Sequence, residues 1–196
     1  MSDTNPDLRR RKMLVAATTG LGGVGLIAAA IPFIESMQPS EAAKAAGAPV
    51  EVDIGALAPG QLLTVEWRRK PVWILHRSAP MLAALGGHRQ LLADPDSSVE
   101  QQPRYAANPT RSLQADYFVV LAICTHLGCI PSYRPEAAPP DLGPEWPGGF
   151  YCPCHGSRFD LAGRVFKNVP APRNLEVPAY RHLAPSRLLI GEDGAA

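Results

Sequence analysis

The four cysteines and two of the five histidines of this chain fall in two short stretches, Cys124-Thr125-His126-Leu127-Gly128-Cys129 and Cys152-Pro153-Cys154-His155-Gly156-Ser157. Scattered cysteines are usually inert core residues, whereas cysteines gathered beside histidines usually bind metal or carry redox chemistry. Each stretch offers one thiolate and one imidazole in a compact loop, Cys124 with His126 and Cys152 with His155. Two thiolates and two imidazoles can hold zinc tetrahedrally. They can equally hold a two-iron, two-sulfide centre, with both thiolates on one iron and both imidazoles on the other. Zinc knuckles mostly pair like ligands, Cys with Cys or His with His. Here each loop mixes the two types and adds a second cysteine, which favours the iron–sulfur centre over a zinc-stabilised binding module. A visible spectrum separates them, because zinc is colourless.

These loops need a frame. Short β-like runs at 50–54, 62–67, 72–77, 117–123, 150–152, 165–166 and 187–190 are divided by breaks such as Ala58-Pro59-Gly60 and Pro147-Gly148-Gly149. Regularly spaced short strands without amphipathic helices between them predict an all-β, antiparallel sandwich or barrel. The 21 prolines and 17 glycines support a loop-rich body of this kind. Cys124 follows the run at 117–123, and Cys152 ends the run at 150–152, so both motifs sit where a strand gives way to a loop. Residues 86–111 fit no strand and predict a loop with a helical turn. The 22 residues between Cys129 and Cys152 are proline-rich and predict an exposed loop. His76, His88 and His182 stand alone and are read as surface or capping residues, and Trp67, Trp73 and Trp146 as packing.

The N-terminal fifty residues differ in kind. Arg9-Arg10-Arg11-Lys12 precedes 22 uncharged residues, 13–34, which as a helix span roughly 33 Å, enough to cross a hydrocarbon core. A cleaved secretory signal normally has an apolar region of only about 7–15 residues, so a retained anchor is expected. Basic residues before the span and Glu35 and Glu41 after it place the N-terminus in the cytoplasm and the rest across the membrane. Arg10-Arg11-Lys12-Met13-Leu14 resembles a twin-arginine export signal, with Arg9 at the position where that pattern usually carries Ser or Thr. The expected organisation is a cytoplasmic segment 1–12, an anchor 13–34, a flexible tether 35–49 and a soluble domain 50–196 whose cluster-binding part covers about 122–172. The polar, alanine-rich stretch 38–49 has no stripe that could pack, and fully extended it reaches about 40 Å. A net charge of +1 and no basic–aromatic stripe exclude nucleic acid as a partner.

The two cysteine–histidine boxes, in this order and with this spacing, resemble those of the Rieske iron–sulfur subunit of ubiquinol–cytochrome c reductase in bacteria. The resemblance extends over nearly the whole chain. It includes Glu51-Val52-Asp53-Ile54, Leu63-Thr64-Val65-Glu66-Trp67 leading into Lys70-Pro71-Val72, and the proline loop Pro170-Ala171-Pro172-Arg173-Asn174-Leu175. It implies one [2Fe–2S] cluster bound by Cys124, His126, Cys152 and His155. It also implies a Cys129–Cys154 disulfide, a shielding role for Leu127, and a Ser157 hydrogen bond to a bridging sulfide. Histidine ligation leaves the oxidised site neutral where four thiolates would leave it at −2, which raises the potential into the Rieske range. The implied activity is quinol oxidation, with His126 and His155 taking part. One electron would pass to a c-type cytochrome, within a dimeric respiratory complex that also contains cytochrome b. Phe159 departs from the family, which often has a tyrosine there. That departure keeps in view an alternative, the Rieske small subunit of a periplasmic oxidase of the arsenite type.

Overall fold

The computed structural model describes residues 7–192, so the expected cytoplasmic segment is covered only from Asp7. The chain divides into two compact units, Met1–Ala45 and Ala46–Ala196.

In the first unit α1 runs from Leu8 to Ser36, and Asp7 caps it by accepting from the amides of Arg9 and Arg10. None of its residues is buried, and its mean hydropathy reaches 1.9. A helix apolar on every side has no face to turn toward a core and is built to meet lipid. The expected anchor, 13–34, lies wholly inside it. The flexible segment expected at 35–49 is partly ordered, because α2 forms over Glu41–Ala46. Ser40 Oγ accepts from the Ala43 amide, and the alanine-rich run behind this cap has the strongest intrinsic helix preference of any residue type.

Among the described residues of the second unit, nine strands form three antiparallel sheets. The first contains β1 (Val50–Asp53), β9 (Arg187–Ile190) and β8 (Tyr180–Ala184), in that order. The second contains β2 (Leu62–Trp67), β3 (Lys70–His76) and β4 (Tyr117–Leu121), and the third contains β5 (Ser132–Arg134), β6 (Gly149–Cys152) and β7 (Ser157–Asp160). No sheet closes into a barrel. Val72, Trp73, Ile74 and Leu75 of β3 and Phe118, Val119, Val120 and Leu121 of β4 are all buried, so this pair forms the centre of the core. Trp73 stacks on Phe150 of β6 with ring centroids 5.3 Å apart, joining the central sheet to the third. Truncating such a buried aromatic costs about 3–5 kcal/mol.

The short α3 (Ala79–Ala84) and two 3-10 turns, Arg89–Leu91 and Arg104–Ala106, occupy the stretch between β3 and β4. The strand expected at 165–166 is instead a pair of single bridges, Leu92 to Phe166 and Phe159 to Val165. The loop expected to be exposed between Cys129 and Cys152 is packed. It contains β5 and the start of β6, and Leu142 and Trp146 are buried with Leu92 and Phe166 in a small second core. Trp146 Nε1 donates to the Arg134 carbonyl, and Arg134 grips Asp141 through both terminal nitrogens and also pairs with Glu136.

Candidate metal centre

The third sheet carries the site. The two motif loops close in the same way: the Gly128 amide donates to the Cys124 carbonyl at 3.0 Å, and the Gly156 amide to the Cys152 carbonyl at 2.9 Å. Both glycines have left-handed φ, +82° and +78°, a conformation that costs a side-chain-bearing residue energy. Each loop is thus one tight turn from cysteine to glycine with the histidine on its crest. The Cys124 amide also donates to the Cys129 carbonyl, which closes the first box end to end.

Cys124 and Cys152 are the free cysteines, and each is only 2% exposed. Burial pushes the Cys152 thiol up, and the adjacent Cys124 thiol adds to this, while the amides of Cys154 and His155 pull it back down. Two adjacent buried sulfurs with main-chain donors aimed at one of them suit a positive metal, which removes the cost of burying thiolates. Farther out, His126 is half-buried and His155 exposed, and their rings meet edge to face with centroids 4.8 Å apart. The four ligands inferred from the sequence thus lie as two pairs, the sulfurs buried and the imidazoles farther out. The donor set and its burial gradient fit a [2Fe–2S] centre.

Cys129 and Cys154 are joined by a disulfide with Cα atoms 6.8 Å apart, the pairing that the resemblance implied. The sulfurs of Cys129, Cys152 and Cys154 lie within 4.8 Å of one another, so the bridge runs directly against a candidate ligand. Leu127 is 70% exposed and Ile130 56%, leaving an apolar tip beside the imidazoles. Ser157 is buried on β7 opposite Cys152. Its Oγ accepts from the Ala171 amide at 3.0 Å, which leaves its hydroxyl proton free for another acceptor. Thr125 makes a second tie to the proline loop, donating to the Arg173 carbonyl at 2.6 Å.

A buried charge cluster behind this sheet was not foreseen. Asp160, at the end of β7, takes Arg164 Nε at 2.7 Å and lies 3.2 Å from His88 Nε2, all three being nearly inaccessible. His88 is therefore not a surface residue; it stands at the N-cap of the turn Arg89–Leu91, but its ring turns to Asp160 rather than capping that turn. Burial works to raise the Asp160 carboxyl, but His88 and Arg164 outweigh it and hold the group below the usual carboxylate range. Arg111 donates to the carbonyls of Ala162, Gly163 and Leu175, and Arg77 to those of Ala115, Thr110 and Leu161. Burial lowers both guanidiniums to about 10. These side chains pin the β7 turn and the proline loop to the frame. Sequence spacing offers no signal for them, because their partners are mostly carbonyls of distant loops.

This fold and this donor set define a Rieske-type iron–sulfur protein, an electron carrier with one [2Fe–2S] cluster. The family model for the Rieske [2Fe–2S] domain matches residues 98–181, and that for the ubiquinol–cytochrome c reductase Fe–S subunit TAT signal matches residues 1–40. The ubiquinol–cytochrome c reductase iron–sulfur subunit of Allochromatium vinosum is 59% identical, covering 98% of this chain and 93% of its own. That of Blastochloris viridis is 41% identical, covering 97% and 96%. A solved structure titled hyperthermophilic respiratory Complex III is 26% identical with a TM-score of 0.49, covering 89% of this chain and 98% of its own. The chain belongs to the family of ubiquinol–cytochrome c reductase iron–sulfur subunits. These relatives do not favour the oxidase alternative.

Proposed function

We propose that the chain is the membrane-anchored subunit that carries an electron from quinol to a c-type cytochrome, working beside cytochrome b in a dimeric complex. The observation that carries this reading is the burial gradient at the tip of the third sheet: two buried thiols within, two imidazoles without, on loops clamped by a disulfide. Cys124, Cys152, His126 and His155 would hold the cluster, the thiolates from within and the imidazoles from without. When bound, the cluster supplies one-electron chemistry at a potential raised by imidazole ligation.

The chain's own groups do the rest. Leu127, exposed at the crest, keeps water from the cluster and offers quinol an apolar surface. The outward ring nitrogen of His155, the more exposed of the two imidazoles, accepts a hydrogen bond and then the proton from the quinol hydroxyl. Ser157, already held by the Ala171 amide, keeps a hydroxyl proton that would be free to donate to the bound cluster. The basic N-terminus stays in the cytoplasm, α1 spans the inner membrane and the head lies in the periplasm. Segment 35–49 is the tether that lets the head reach donor and acceptor in turn.

Redox titration of membranes, followed by the cluster's EPR signal with and without added quinol, tests the reading. A Rieske-type signal reduced by quinol is expected. Replacing Cys124, His126, Cys152 or His155 by a non-ligand should abolish it, and an intact signal in any of these variants would overturn the ligand assignment.

A further inference from the structure

Gly156, whose amide closes the second ligand loop, also walls a cleft of about 430 Å³. Trp146 and Phe166 line it as a stacked pair with centroids 5.9 Å apart, and Arg158 and Lys167 line it with them. Both cations are held only by main-chain oxygen: Arg158 Nη1 donates to the Leu142 carbonyl at 3.4 Å and Lys167 Nζ to the Gln90 carbonyl at 2.8 Å. Neither forms an ion pair among the described residues, although Arg89, Arg134, Arg181 and Arg187 on the same head each find a carboxylate. Glu145 lines the cleft as well, yet it bridges neither cation.

Carbonyl contacts orient the two cations and leave their remaining N–H groups unused, so an incoming carboxylate meets donors whose side-chain freedom is already reduced. The stacked rings offer its methylenes an apolar bed. The cleft also differs in kind from the neighbouring tip, where exposed Leu127 and Ile130 suit an apolar quinol site.

We propose that this cleft docks an acidic side chain of the cytochrome that accepts the electron, and so orients the head for the outgoing step. The proposal rests on the electron-transfer reading above.

The test uses the purified complex with Lys167→Gln, Arg158→Gln and the double variant. The cluster is pre-reduced, and its oxidation by the cytochrome is timed across a range of ionic strength. EPR and midpoint potential serve as separate readouts. The double variant should slow this step by about 3–10-fold at low salt, the range expected for losing two exposed charge pairs. Its salt dependence should flatten, and Lys167→Glu should slow it further. Unchanged rate and salt dependence, with a normal EPR signal, would overturn the proposal. So would slowing confined to cluster reduction by quinol, which would assign the cleft to the donor side. If Arg158→Gln disturbs the EPR signal, Lys167→Gln decides alone. A failure of the electron-transfer reading itself would show differently, as a wild-type protein without a quinol-reducible Rieske signal.

Discussion

A single hydroxyl separates Phe159 from the tyrosine that the family often carries. Phe159 is fully buried on β7 opposite Phe150. Strand alternation puts it on the same face as Ser157, and the register puts that face beside Cys152. A tyrosine hydroxyl there would donate to a cluster cysteine more strongly once reduction adds negative charge, which stabilises the reduced form. One hydrogen bond differing by about 0.5–1.5 kcal/mol corresponds to roughly 20–60 mV for one electron. Phe159→Tyr should raise the midpoint by that amount at constant cluster content, and a clear fall in potential would refute the argument. Acid sensitivity also belongs to a single residue. The ring nitrogens of His182 on β8 are shielded, and its ring meets Tyr117 edge-on. Burial lowers its pKa, and the Ala184 backbone opposes this more weakly. The fold therefore favours neutral His182, and its contribution is intact above about pH 6.5 and lost as pH falls toward the lower folded value. His182→Phe should flatten the loss of urea resistance between pH 7 and 5, and an unchanged slope would exclude His182 as the source.

The disulfide acts on elements, since it ties the loop after β4 to the loop after β6. Cys129 and Cys154 are 25 residues apart, and closing a loop of that size is worth about 3–4 kcal/mol in the chain-entropy model. Cys129→Ser, Cys154→Ser or the double change should leave a cluster that assembles but is lost more readily on heating, with a lowered potential. Cluster absorbance followed against temperature checks this, and wild-type retention would show that the Gly128 and Gly156 turns suffice. The chemistry-bearing loops were legible in the sequence because ligand types and spacing are local properties. So were β2, whose run opens after Pro59-Gly60, and β9, whose run closes at Gly191. The turn between β2 and β3 was not, because Arg68 and Arg69 take left-handed φ of 53° and 60° where an Asn-Gly pair would advertise a hairpin. Strands β5, β7 and β8 were missed because polar residues interrupt them, and their pairing partners supply what their own composition does not. Trp146 and Leu142 were hidden among prolines, their burial depending on Leu92 and Phe166 elsewhere in the chain.

At the scale of the whole molecule, the electron-transfer role proposed above requires the segment between anchor and head to allow travel, and α2 would set how much. With Glu41–Ala46 helical, those six residues span about 9 Å at 1.5 Å each. Extended, they would span about 20 Å. The tether therefore shortens when the helix forms and lengthens by about 11 Å, a little over a third of its reach, when it melts. A six-residue helix is far below the length that is stable alone in water, so the extended form lies within easy thermal reach. Two consequences can be separated experimentally. Ala42→Gly with Ala43→Gly removes helix preference but keeps the chain flexible, and quinol-to-cytochrome turnover should stay near normal. Two or three prolines placed within 39–48 also break the helix but stiffen the segment into a semi-rigid spacer, and turnover should fall several-fold. The midpoint potential should be unchanged in both, because the head keeps its own core and its own hydrogen bonds. Normal turnover in the proline variants would mean that the head need not travel. Equal slowing in the glycine pair would mean that the helix itself, rather than flexibility, sets the productive reach.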